Sequence, residues 1–102
     1  MTTLTSGMYV VHHKHDPSFE EDKHNFCYRI VGRVFNSDTD EEMIAYEPLY
    51  KTKRNQTQGP YQFYVKKESK FIDEMQKGET TVSRFRIFQS LEHMQSYLAS
   101  LL

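Results

Sequence analysis

Three histidines stand within four positions in the stretch YVVHHKHD, residues 9–16. Imidazoles bind metal ions and transfer protons near neutral pH, so this spacing raises a metal site and a catalytic base as candidate functions. Successive side chains of a β-strand point to opposite faces, which predicts His13 and His15 on one side and His12 with Lys14 on the other. A zinc site on either side would need further ligands from the polar segment that follows. We therefore expect no metal at this stretch.

A second concentration of chemistry lies in residues 51–70, which hold six basic residues and the single acidic residue Glu68. The formal net charge of the chain is only −1, so the basic and acidic residues are segregated. Basic surfaces beside aromatic rings are typical of sites for nucleic acid or small anions, because cations attract phosphate and rings stack on bases. The alternative is a solvated charged face without a ligand. The residues predicted to contact nucleic acid are Lys51, Lys53, Arg54, Lys67 and Lys70.

Polar residues that a hydrophobic core does not require recur along the predicted strands. His12 and Lys14 would share one strand face, and Tyr46 and Tyr50 would share a face of another strand. If those faces coincide, an imidazole, several cations and several phenols line one groove, which suits a phosphate-bearing or planar ligand. The alternative is that the tyrosines are core residues with their hydroxyls at the rim. The residues predicted to bind this ligand are His12, Lys14, Tyr46, Tyr50, Tyr64, Lys66 and Arg84.

Catalytic motifs are absent from the sequence, which has no Gly-rich phosphate loop, no Gly-x-Ser-x-Gly and no Cys-rich zinc pattern. The single cysteine, Cys27, excludes an internal disulfide and suits a reducing compartment. A nucleophilic Cys27 would need His12 or His13 beside it on a neighbouring strand, whereas a lone cysteine is more often a small core residue. We expect a binding protein rather than an enzyme, and no cofactor.

Composition is typical of a small soluble protein. The 102 residues are 37% hydrophobic and 26% charged, with Tyr 7, Phe 7 and no Trp. We expect one domain over residues 1–102 with an aromatic core. The N-terminal segment has neither a basic region nor a long apolar core, and no run reaches the roughly 18 apolar residues that span a bilayer. These features predict a cytoplasmic protein without a membrane segment.

The elements that position these residues follow from periodicity and turn chemistry. A short helix is predicted within residues 68–79, begun by Ser69, stopped by Gly78 and striped by Phe71, Ile72 and Met75. Five short antiparallel strands favour an α+β fold with a strongly bent sheet or a partly open small barrel, backed by a C-terminal amphipathic helix. The predicted strands are residues 7–14, 26–36, 43–50, 61–66 and 82–88, with residues 26–50 as a hairpin.

Within the second strand, alternation places Tyr28, Ile30 and Val34 on one side. Gly32 lies between them and indicates a bend, a bulge or a close backbone approach.

The C-terminal helix, capped by Ser90, carries an apolar stripe at helical spacing. Such a stripe is most often core packing. In a homodimer or a protein-interaction module, the stripe or an exposed edge strand would instead be the contact. The stripe residues are Leu91, Met94, Leu98 and Leu101.

The hairpin and its surroundings resemble the DUF1653 family, a bacterial and phage domain of unknown function. In CYRIVGRVFNSDTDEEMIAYEPLY, an aromatic-x-aliphatic-x-Gly run leads through a polar turn and an acidic pair into aliphatic residues and a Leu-Tyr end. The family's His-x-Lys pair falls on His12 and Lys14, and its late Arg-Phe pair begins at Arg84. Its Trp-Val-Arg-Pro stretch is YVKK at residues 64–67, which indicates a diverged member. The likeness covers roughly residues 7–88 and implies a small single domain without an established activity.

The sequence therefore predicts a non-enzymatic binding domain that recognises an anionic, nucleotide-like ligand, either free or within nucleic acid. A protein-interaction module or homodimer is the alternative, and an enzyme is the least favoured reading.

Overall fold

The computed structural model describes residues 3–102, so Met1 and Thr2 of the predicted domain lie outside the described residues. Within that range the chain forms an open five-stranded sheet, a separate two-stranded sheet and three helices. The prediction of an α+β fold with a strongly bent antiparallel sheet or a partly open small barrel of about five strands is confirmed, and the five-stranded sheet is not closed. The elements are β1 (Tyr9–His12), β2 (Cys27–Asn36), β3 (Glu41–Pro48), α1 (Lys53–Thr57), β4 (Tyr64–Lys66), α2 (Ser69–Ile72), β5 (Glu74–Lys77), β6 (Thr80–Ser83), β7 (Phe85–Phe88) and α3 (Leu91–Ser100).

The main sheet is antiparallel throughout and has the strand order β4-β3-β2-β1-β7. The strands β4 and β7 are therefore its edges. The two-stranded sheet pairs β5 with β6. None of the helices in residues 3–102 has the length and apolar character that crossing a membrane requires.

The predicted hairpin of β2 and β3 contains a bulge, because the register shifts between Ile30 and Gly32. An extra residue on one strand reverses the alternation beyond it. Val34 consequently pairs with Met43, on the face opposite to Ile30, and is 39% exposed. The prediction that Val34 shares a side with Tyr28 and Ile30 is wrong for this reason.

The segment predicted as a helix over residues 68–79 is helical only at Ser69–Ile72. Residues beyond Asp73 form the hairpin of β5 and β6, whose turn contains Gly78 with a positive φ of 65°. The β-branched residues of β6 favour a strand, and pairing with them overrides the helix propensity of β5. Glu68 precedes the helix without a side-chain cap, so the predicted capping by Ser69 is also wrong.

The predicted strand over residues 82–88 is split at Arg84 into β6 and β7. The backbone N–H of Arg84 donates to the carbonyl of Asp73 at 3.1 Å, while its carbonyl accepts from His13 at 2.9 Å. Arg84 therefore links the two sheets.

The core has two parts, one on each face of the main sheet. On the helical face, Val11 and Cys27 pack beneath Met94 of α3, with Leu98 beside them. The predicted core packing of the helix stripe is confirmed for Met94 and Leu98. The outer residues of the stripe, Leu91 and Leu101, are 39% and 38% exposed. The aromatic face carries the larger cluster, Leu4, Met8, Val10, Tyr28, Ile30, Ile44, Tyr46, Phe71 and Phe85.

Candidate functional site

A cavity of about 480 Å³ opens on the aromatic face of the sheet, and we call it the aromatic-cationic cavity. Its size falls within the range of about 300–1,000 Å³ that is usual for small-molecule sites. Among residues 3–102, no carboxylate lines it. The lining residues are His12, Lys14, Phe26, Tyr28, Tyr46, Tyr50, Thr52, Lys53, Arg54, Tyr64, Lys66 and Phe85.

The structure brings together most of the residues that the sequence predicted as a ligand site. Tyr46 lies opposite Tyr64 across the β3–β4 pair, and Lys66 projects to the same face two positions along β4. Tyr50 follows the end of β3 and reaches the same cavity. Arg84 is the predicted residue that does not line it, because its guanidinium bonds to Asp73.

His12 and Lys14 both line the cavity, but strand alternation does not explain this. The strand β1 ends at His12, and Lys14 lies in the turn that follows. The predicted separation of His12 from His13 onto opposite sides is wrong, since their ring centroids are only 4.3 Å apart. The turn also lets the backbone N–H of Lys14 donate to Nδ1 of His12 at 3.1 Å.

The imidazole of His12 is a hydrogen-bond donor at neutral pH. Burial, followed by the charge of His13 and the nearby cations Lys66 and Lys14, lowers the pKa of His12 to about 4. The ring is therefore neutral, and because Nδ1 accepts from a backbone N–H, the proton sits on Nε2. Such a ring is a weak base and offers an N–H to a ligand oxygen instead.

Three of the phenols in the described lining, those of Tyr28, Tyr50 and Tyr64, are held by hydrogen bonds at the cavity wall. The hydroxyls of Tyr28 and Tyr50 are 2.8 Å apart, and the hydroxyl of Tyr64 is 2.6 Å from Oγ1 of Thr52. Burial raises the pKa of Tyr28, Tyr46 and Tyr50, so these phenols are protonated at neutral pH. The cavity wall is thus a set of neutral aromatic bodies with polar tips.

Cations lie against these rings. The ammonium of Lys66 lies over the ring of Phe85, 4.9 Å from its centroid, and the guanidinium of Arg54 lies 5.6 Å from the centroid of Tyr64. Burial, followed by the charge of Arg84, lowers the pKa of Lys66. The cavity therefore places positive charge beside partly buried aromatic rings, a setting in which an anion would be bound more strongly than on an open surface.

The basic residues predicted to contact nucleic acid do not lie together. Lys53 and Arg54 line the cavity from α1. Lys67 bonds to Glu41 at 2.6 Å, outside the cavity lining. The remaining two, Lys51 and Lys70, are exposed and lie outside the lining as well.

The sequence did not indicate α1, nor four of the lining residues, Phe26, Tyr28, Thr52 and Phe85. Thr52 caps α1 by accepting the backbone N–H of Asn55 at 3.0 Å, and a threonine before KRNQT is a recognisable helix start. Tyr28 was predicted only as a strand residue. Phe26 has a positive φ of 59°, a conformation that a bulky residue seldom adopts and that no sequence pattern indicates.

Two further possibilities raised by the sequence were a metal site and a nucleophilic cysteine. The part of the chain that the structure describes contains no group of three or more His, Cys, Asp or Glu side chains placed to hold a metal ion. Cys27 lies on the helical face while His12 faces the other way, so the conceivable Cys–His pair is not formed. Burial raises the pKa of the Cys27 thiol to about 12, which leaves it protonated and unsuited to nucleophilic attack.

Comparison with known protein families gives one match over most of the chain. The family described as "Protein of unknown function (DUF1653)" matches residues 8–87. No curated protein matches the chain. No solved structure matches it either.

Proposed function

This chain belongs to the DUF1653 family, and we propose that it is a non-enzymatic binding protein whose aromatic-cationic cavity recognises an anionic, nucleotide-like ligand. The observation that carries the proposal is the lining itself, to which the described part of the chain contributes four basic side chains and four phenols but no carboxylate. The basic side chains are Lys14, Lys53, Arg54 and Lys66.

Different residues of the lining suit different chemical groups of such a ligand. The exposed side chains of Lys14, Lys53 and Arg54 suit a phosphate or another compact anion. The ring of Tyr64, already beneath the Arg54 guanidinium, offers a face on which a planar group can stack. The N–H of His12 adds a directed donor for a ligand oxygen.

A free small ligand is favoured over a strand of nucleic acid. The cations of the cavity come from separate parts of the chain, with Lys14 after β1, Lys53 on α1 and Lys66 on β4, and they converge on one concave site. In contrast, Lys67 in the basic run is neutralised by Glu41. Convergence of this kind suits a compact molecule better than an extended backbone.

The test is calorimetric titration of the four nucleoside 5′-monophosphates at low salt. The double variant Lys53→Gln/Arg54→Gln should weaken binding by at least about tenfold, since each charge-assisted hydrogen bond contributes about 1.5–3 kcal/mol. The matched control Lys51→Gln/Lys70→Gln removes the same charge outside the cavity and should bind normally. An equal loss in both variants, or no binding of any nucleotide by the wild type, would contradict the proposal. Titration with a short single-stranded oligonucleotide then separates the two ligand sources.

A second candidate function, protein interaction or homodimerisation, is supported by the exposed edge of the sheet. The three-residue strand β4 is an edge, Val65 at its centre is 54% exposed, and Phe63 before it is 42% exposed. Open edges with apolar side chains can pair with another strand. Light scattering should then give twice the chain mass, and Val65→Lys should restore the monomer. A monomeric wild type at high concentration would count against this candidate.

We also propose a cytoplasmic location, a bacterial or phage origin and divergence from the family pattern. The location is supported by the single cysteine, Cys27, which is free and cannot form a disulfide within the chain. The divergence is supported by Tyr64, Lys66 and Lys67, which stand where the resemblance leads one to expect Trp, Arg and Pro.

A further inference from the structure

Lys66 differs from an ordinary surface lysine in its surroundings. Its Nζ lies 4.9 Å from the ring centroid of Phe85, 5.5 Å from that of Phe71 and 5.6 Å from that of Tyr46. No carboxylate in residues 3–102 is within ion-pair distance of this nitrogen. The amine therefore ends in an aromatic cage on the wall of an open cavity.

The next residue in the chain provides a direct contrast. Lys67 points away from the cavity, is exposed, and bonds to Glu41 at 2.6 Å. The two adjacent lysines therefore have different surroundings. The Lys67 amine forms an ion pair at the exposed surface, whereas the Lys66 amine lies among aromatic rings. Of these two amines, that of Lys66 is the one that lines the cavity and would meet a ligand there.

The charges around Lys66 act mainly against its protonated form. Burial, and then the positive charge of Arg84, lowers its pKa. Asp73 opposes this effect, but its carboxylate is already bonded to Arg84 at 2.8 Å. The other charged or titratable groups that act on it are Arg54, Lys70 and His12.

We propose that Lys66 is a nucleophilic lysine that captures small anionic aldehydes or ketones as an imine. Desolvation beside another cation is a recognised way to activate a lysine amine. The anionic character of this ligand class rests on the proposed function, whereas the nucleophilicity of Lys66 does not depend on it.

The reaction needs only the amine and the carbonyl compound. The neutral Nζ adds to the carbonyl carbon, forming a C–N bond while the π electron pair moves to oxygen. A proton passes from nitrogen to that oxygen through solvent and gives a carbinolamine. Protonation of the hydroxyl and cleavage of the C–O bond then release water, and the nitrogen lone pair forms the C=N bond. The exposed cations Lys14, Lys53 and Arg54 would hold the anionic group during these steps.

The experiment is trapping of the imine in the full chain. The protein is treated near neutral pH with limiting pyridoxal 5′-phosphate, reduced with borohydride and mapped by peptide mass spectrometry. Lys66 should carry several-fold more label than Lys67, the matched internal control. Labelling of Lys66 at or below the level of Lys67 would overturn the proposal.

Two variants test the cause of the reactivity. Lys66→Arg keeps the positive charge but cannot form an imine, so the dominant label should disappear while the circular dichroism spectrum is unchanged. Arg84→Gln removes the neighbouring cation and frees Asp73, so labelling of Lys66 should fall near neutral pH and recover in alkali. Loss of this pH dependence would contradict the electrostatic activation.

A neutral aldehyde separates this inference from the proposed function. If propanal labels Lys66 as readily as pyridoxal 5′-phosphate does, the nucleophile is supported and the anionic ligand class is contradicted. If Lys66 is not labelled although nucleotides bind in the calorimeter, the nucleophile is rejected and the proposed function stands.

Discussion

The two faces of the main sheet are built from alternating residues of the same strands, yet their chemistry differs. Val11 and Cys27 face α3 and are buried beneath Met94. Their chain neighbours His12 and Tyr28 face the other way and line a cavity. One face therefore packs its buried apolar residues against a helix, while the other packs aromatic bodies and leaves their polar tips accessible. Because the aromatic face holds the larger core cluster as well as the cavity, the contrast predicts one direction of independence: changes on the helical face alter stability without altering recognition.

The largest effect is expected from Met94→Ala on the helical face. Met94 is fully buried against Val11 and Cys27, so its truncation should lower the free energy of unfolding by about 2–5 kcal/mol. Urea denaturation measures this change, with Leu91→Ala on the same helix as the exposed control. Nucleotide affinity should not change where the variant is still folded. A parallel loss of affinity would show that the two faces are not separable.

A smaller effect is expected from removing a single phenol oxygen on the aromatic face. Tyr28→Phe breaks the 2.8 Å contact with the hydroxyl of Tyr50 and should cost about 1 kcal/mol of unfolding free energy. Tyr46→Phe is the counterpart, because Tyr46 lines the cavity but, unlike Tyr28, Tyr50 and Tyr64, makes no hydroxyl hydrogen bond within residues 3–102. Tyr46→Phe should therefore spare stability and weaken nucleotide binding. The reverse pattern would refute the assignment of Tyr46 to the ligand.

The pH dependence of stability is expected to carry a contribution from His12. Its pKa is about 4 in the folded state and 6.5 in the reference state, so the unfolded chain binds the proton first. The contribution of neutral His12 to the free energy of unfolding is fully present above pH 6.5 and is lost as the pH falls toward 4. Urea denaturation at about pH 7 and about pH 5 should show a larger loss for the wild type than for His12→Asn. Equal losses would contradict the burial of His12.

The smallest effect on ligand binding is expected from changes to Cys27, whose thiol lies on the helical face. Cys27 is fully buried and its pKa is raised to about 12. A thiol reagent should therefore not react with the folded protein near neutral pH and should react fully in urea. Rapid reaction of the native protein would show that the helical face opens. Cys27→Ala should leave nucleotide binding unchanged.

The sequence predicted the cavity better than it predicted the elements around it. Tyr46, Tyr64 and Lys66 reach one place because β3 and β4 pair in register, and the strand patterns indicated both strands. Lys14 was placed correctly for the wrong reason, since a turn rather than a strand brings it to His12. Polar residues on strands rich in aromatic side chains therefore indicate the position of a cavity even where the predicted local geometry is wrong.

The predictions from sequence were wrong where pairing with a distant strand determined the local structure. The residues of β5 have fair helix propensity, and only their partners in β6 make them a strand. The bulge beside Gly32 was indicated, but its reversal of Val34 depends on the register with β3. Phe26, with its left-handed backbone, has no local signal at all.

The most direct test of the account is a nuclear magnetic resonance titration of the labelled protein with the nucleoside 5′-monophosphate that binds best. We expect saturable shifts at the cavity, with the largest changes at His12, Tyr46, Tyr64 and Lys66, and none at Met94 or Cys27. The matched variant Lys53→Gln/Arg54→Gln should suppress these shifts. Saturable shifts confined to α3 or β7, or no shifts with any nucleotide, would contradict the central claim that the aromatic face is the recognition surface.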